Sequence, residues 1–174
     1  MKVFYAFALI IITLCTNAQS MEMPDFKTSY LPMWQRAAEY LLNVAEAMPD
    51  SLYQYKPTAD VYTFEAQMLH LADNMFWLST TKIEGEDYTR QPPGENVLGK
   101  EEVLKKLHKA FEKVEATVQD FNEEELHSTL AFGGTEVTKE RIFYLIRDHI
   151  THHRAQAILY LRMNGITPPK YVGW

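Results

Sequence analysis

Hydrophobic and polar positions alternate with helical period along most of the chain, in four separate stretches. The first runs from about Leu31 to Met48, with Pro32 in its opening turn and Pro49 just past its end, and carries the stripe Trp34, Ala37, Leu41, Leu42, Ala45 and Met48. The second starts after Thr63, a predicted N-cap with Glu65 in the first turn, and reaches about Ser79. The third, about Lys100 to Asn122, has the cleanest seam: Leu104, Leu107, Phe111, Val114, Val118 and Phe121, at alternating steps of three and four. Thr138 caps the fourth, which continues to Met163 and stops at Asn164-Gly165, with Pro168-Pro169 following. Between them lie an aromatic loop (49–60), a long charged connection (82–99), and a segment 123–137 with a short extended piece around Thr129 to Phe132. This pattern predicts an all-α four-helix bundle with long irregular connections.

The seam of the fourth helix departs from the rule. It reads Ile142, Ile146, His149, His153, Gln156, Tyr160, Met163, so its middle is polar where the other helices place leucine or valine. His149 and His153 are spaced i, i+4, which stacks both rings on one face of a helix. Polar groups in a buried seam cost several kcal/mol unless something satisfies them, on the order of 2–7 for each, and a metal ion satisfies two adjacent imidazoles at once. His152 falls at the edge of the face and Arg154 on the far side; Ile150 and Ile158 project away from the seam, predicting a cover over the helix's outer side.

A third ligand is available in the second helix. His70 lies between apolar neighbours with Gln67, Asp73 and Asn74 on the same face. A lone histidine in such a setting is ordinarily a satisfied core residue, but if helices two and four face each other it completes a three-imidazole site with His149 and His153. Three protein ligands leave an open position, the arrangement of catalytic rather than structural metal sites. Imidazole suits zinc, nickel, copper and iron alike. Asp73, one helical turn from His70, is the candidate general base, weighed against an ordinary role as a partner to a ligand. Gln156 and Tyr160 continue the seam. His108, near Glu112, reads as a partly solvated imidazole.

Composition narrows the chemistry. The chain has 174 residues, 47% hydrophobic, enough for one domain with a sizeable core. Residues 1–18 read as a cleaved signal peptide: Lys2, the apolar run Val3 to Leu14, then Thr16-Asn17-Ala18. The run is short for a bilayer span. Residues 19–174 would be the mature single domain, exported to a periplasm or secreted. Cys15, the one cysteine, lies in the signal, with bulky Leu14 where a lipidation site needs a small residue. A mature chain without cysteine has no disulfide, no thiol nucleophile and no Cys-ligated zinc. Removal of Lys2 with the signal takes the net charge from -6 to -7, which leaves no basic stripe for nucleic acid.

The run Met68-Leu69-His70-Leu71, the downstream Asp148-His149-Ile150-Thr151-His152-His153-Arg154-Ala155-Gln156 and the terminal Gly165-Ile166-Thr167-Pro168-Pro169 together resemble the DinB and YfiT-like family of metal-dependent enzymes. The resemblance covers the mature chain from the first helix to Pro169, with Ala155 where the family often has Gly. It implies an up-down-down-up four-helix bundle, a homodimer, and a divalent ion such as zinc or nickel on His70, His149 and His153. It also implies a metal-dependent hydrolase using a water on that site. The alternatives are a metal-dependent thiol S-transferase or isomerase, or a non-catalytic metal- or ligand-binding bundle; for an exported protein, which meets few cellular thiols, hydrolysis leads. The expected partner is an unidentified small molecule, with no nucleic acid and no membrane after signal cleavage.

Overall fold

A computed structural model describes residues 25–91, 93 and 97–172; the expected signal of residues 1–18 lies outside them. Among the described residues there are four α-helices, α1 (Phe26–Ala47), α2 (Phe64–Trp77), α3 (Lys100–Asp120) and α4 (Lys139–Met163), with a two-stranded antiparallel hairpin, β1 (Thr129–Phe132) and β2 (Thr135–Thr138), between the last two. None of the described helices is long and apolar enough to cross a membrane.

Helix directions follow from side-chain contacts. Tyr30, Met33 and Tyr40 of α1 meet Phe143, Arg147 and Arg154 of α4 in the same order along both chains, so these two helices run parallel. Trp34 reaches Phe111 while Lys27 reaches Gln119, so α1 and α3 run antiparallel. His70 meets His149 and Tyr160 reaches back to Tyr62, so α2 and α4 are antiparallel as well. Up-down-down-up is therefore the observed topology, and each helix packs against two neighbours: α1 and α2 each contact both α3 and α4.

The helix ends carry the predicted chemistry with two differences. The Thr63 and Thr138 side chains accept from the Ala66 and Arg141 amides. At the end of α4 the Ile166 amide donates to the Leu161 carbonyl and the Gly165 amide to that of Arg162, with Gly165 at φ 72°, a Schellman stop. However, α1 begins at Phe26, five residues before the expected start, with the Asp25 side chain as its cap. Pro32 is inside the helix. The missing amide bond there is offset by tertiary packing, since Phe26 and Tyr30 are buried against Phe143 and the Tyr30 hydroxyl donates to the Phe143 carbonyl. α2 also outlasts its expected end, continuing as a π-helical segment (Leu78–Glu84) that buries Leu78, Ser79, Thr80 and Ile83 before Gly85, at φ 78°, turns the chain.

The core is continuous, from Phe26, Tyr30, Trp34 and Phe143 at one end to Met48, Tyr53 and Phe64 at the other. The aromatic loop closes that second end: Tyr53 is buried and its hydroxyl donates to the Ala45 carbonyl, and Tyr55 packs edge-on against Tyr160. Two buried carboxylates of α2 tie down the crossover to α3. Glu65 accepts from the Leu98 and Gly99 amides, while Asp73 accepts from the Tyr88 hydroxyl, the Arg90 side chain and the Gln91 amide.

Candidate metal centre

The antiparallel α2–α4 contact brings His70, His149 and His153 together. One nitrogen from each ring lies within 4.8 Å of the other two, and the ring centroids are 4.6–5.0 Å apart. The Nε2 atoms of His70 and His149 are 3.2 Å apart. Two imidazole nitrogens sharing a tetrahedral zinc, each at about 2.0–2.1 Å, would stand about 3.3–3.4 Å from one another, so this pair already has the span of a shared ligand set. His153 is buried, and its Nδ1 is one of four buried side-chain polar atoms with no hydrogen-bond partner among the described residues. The donor set is three neutral nitrogens on two rigid helices, which fits a borderline divalent ion.

Electrostatics favour the neutral rings. Burial, then the positive fields of His153 and His70, hold His149 down at about 3. Burial, then His70 and His152, hold His153 at about 4. Burial and the Arg90 guanidinium lower His70, with Asp73 pulling the other way. All three therefore present lone pairs rather than N–H⁺ at neutral pH, which is the state a metal needs.

Sequence reasoning placed the other groups unevenly. His152 is exposed and pairs with Gln156 at 3.0 Å, outside the three-ring cluster. His108 and His127 are exposed and far along other elements. Asp73 stands one turn from His70 as expected, but both its oxygens are engaged: Oδ1 by Tyr88 and Gln91, Oδ2 by Arg90 at 2.6–2.7 Å. Arg90 also lies over the Trp77 ring, its guanidinium carbon 4.4 Å from the ring centre. Tyr88 and Arg90 were not singled out, because they sit in a charged connection whose course has no periodic signal. The inward face of α4 is rotated from the predicted seam. Ile150, on the outer side for which a cover was expected, is fully buried, whereas Met163, expected in the seam, is 54% exposed. The reason is that α4 packs on both α1 and α2, so its buried arc is wider than one stripe, with Ile150, Ala157 and Leu161 among its buried positions while His149 is half-buried.

The sequence profile of the DinB family matches residues 23–173. The chain belongs to the DinB family. Solved structures agree on the fold: a DinB-like protein from Bacillus cereus superposes with a TM-score of 0.71 at 15% identity, covering 82% of this chain and 95% of that one. A DinB-like protein from Bacillus subtilis gives 0.66 at 19% identity, with 82% and 95% covered. A conserved protein from Enterococcus faecalis gives 0.65 at 14%, with 81% and 98% covered. No curated protein sequence matches the chain. At these identities the structural likeness establishes the fold, and the chemistry must be argued from the site.

On the outer side of His153 a cleft of about 420 Å³ opens between the loop before α2 and the last turns of α4. Tyr62, whose ring lies 5.7 Å from that of His70, forms part of its wall, and the Tyr160 hydroxyl donates to the Tyr62 carbonyl and so fixes that wall to α4. Gln67, one turn before His70, forms another part; it is 2% exposed and its Oε1 has no partner. Of the three imidazoles His153 lines this cleft, so a cation held by the cluster would have open space on the His153 side for a second molecule.

Proposed function

We propose that this DinB-family protein binds a divalent metal, zinc or nickel, on His70, His149 and His153, and is a metal-dependent hydrolase acting on a small molecule that enters from the cleft. The observation that carries the reading is the cluster itself: three rings from two helices, kept neutral by burial and mutual repulsion, with a buried nitrogen of His153 left unpartnered. A bound ion would supply Lewis acidity and lower the pKa of a water at its open position towards about 7.

The chain's own groups have separable tasks. The α2–α4 contact fixes the three donors, so little rearrangement accompanies loading. Tyr62 and Tyr160 limit access to one side. Asp73, expected as a base, is held by three donors; the role we assign it is to seat Arg90 and the 85–91 connection beside the site. Export through the N-terminal signal and assembly as a homodimer belong to the same proposal, supported by the charge and hydropathy of residues 1–18 and by the family resemblance respectively. N-terminal sequencing of the exported protein and sedimentation test them.

The direct test of hydrolysis is turnover of a panel of p-nitrophenyl esters and phosphoesters by zinc- and nickel-loaded protein. Metal-dependent hydrolysis that disappears in His149→Ala supports the reading. No turnover, together with a change in the visible spectrum of the cobalt form on adding a low-molecular-weight thiol, would reassign the site to thiol chemistry.

A further inference from the structure

Large apolar side chains are rarely left in solvent next to one another without a reason. Val61, Tyr62 and Leu159 are among the exposed large hydrophobic residues, at 39%, 47% and 53%, and all three border the cleft beside His153. Tyr160 lies beneath them, buried and hydrogen-bonded to the Tyr62 backbone, so this wall is held in place rather than loosely folded over. The inner end is different in kind, lined by the buried His153 and Gln67. Thr58 and Asp60 line the cleft as well, but the apolar stretch of wall beside His153 suits a molecule with a reactive head and a hydrocarbon arm. Its volume, about 420 Å³, lies within the usual range of small-ligand pockets, roughly 300–1,000 Å³.

We propose that the ligand of this site is an amphipathic small molecule. Its metal-binding head lies at His70, His149 and His153, and its acyl or aryl arm runs outward along Val61, Tyr62 and Leu159. The inference rests on the metal-site reading above and adds the class of molecule to it.

The test uses straight-chain hydroxamates, whose head chelates a metal and carries an N–H, titrated calorimetrically into zinc-loaded full-length protein. Affinity should rise about 3–4-fold for each methylene added beyond acetohydroxamate until the arm fills the cleft. In Leu159→Ser, a surface substitution, acetohydroxamate should bind as to the wild type while the gain with chain length shrinks. If acetohydroxamate binds and longer chains bind no better, the arm is overturned and the metal site stands. If no hydroxamate binds the zinc-loaded protein, the metal site itself fails, and the arm with it. A third result, in which Leu159→Ser changes the sedimentation coefficient but not the chain-length dependence, makes this face a contact between copies and overturns the proposal.

Discussion

Two sets of buried polar groups, one on helix α2 and one shared between α2 and α4, differ in one respect. Glu65 and Asp73, 3% and 6% exposed, have their carboxylates filled by donors from the crossover to α3. Gln67, on the same helix, and His153, packed beside it on α4, are as deeply placed, yet Gln67 Oε1 and His153 Nδ1 have no partner. An unmade buried hydrogen bond costs about 1–3 kcal/mol. A fold able to saturate two carboxylates within three turns could have saturated these as well. The difference separates the groups that hold the crossover in place from those beside the candidate metal centre.

The largest effect should come from the saturated set. Asp73→Ala removes the acceptor for Tyr88, Arg90 and Gln91 at once and leaves a guanidinium without its counter-ion. A loss of about 2–4 kcal/mol in urea unfolding is expected. A loss below about 0.5 kcal/mol would erase the distinction between the two sets. Glu65→Ala should follow at about 2 kcal/mol, because the Leu98 and Gly99 amides and the Gln54 side chain lose their acceptor.

The unsatisfied set should respond in the opposite sense. His153→Leu removes an unpartnered nitrogen from a buried position and keeps the apolar volume. The metal-free variant should be as stable as the wild type or up to about 1 kcal/mol more stable, while its metal uptake is lost. A variant less stable by several kcal/mol would make His153 an ordinary core residue.

A graded effect is expected from pH. The folded pKa values of His149 and His153, about 3 and about 4, lie below the 6.5 of an unfolded chain. The unfolded state then binds protons first as pH falls, so the metal-free protein should lose stability progressively from about pH 6.5 down towards pH 4. This loss should be reduced in His149→Leu, where one of the depressed groups is gone. Urea midpoints at a series of pH values read it, and a flat profile would contradict the burial of the rings.

Much of this organisation was legible in the residues. The four seams, the Thr63 and Thr138 caps and the Gly165 stop are local signals, and they place α2 and α4 so that His70 and the His149/His153 pair can meet. What was not legible depended on partners distant in sequence. Pro32 read as a helix start because the aromatic packing that carries α1 back to Phe26 comes from Phe143. The cover expected over Ile150 is present, but which element supplies it depended on α4 packing on two neighbours, which a single-helix pattern does not show. Arg90 and Tyr88 were invisible because their places are set by Asp73, not by any period of their own.

The account stands or falls on whether these rings hold an ion. Elemental analysis of the purified protein after reconstitution with zinc and with nickel, beside His153→Ala treated identically, measures that directly. About one ion per chain in the wild type and far less in the variant is the predicted result; equally negligible metal in both would contradict it.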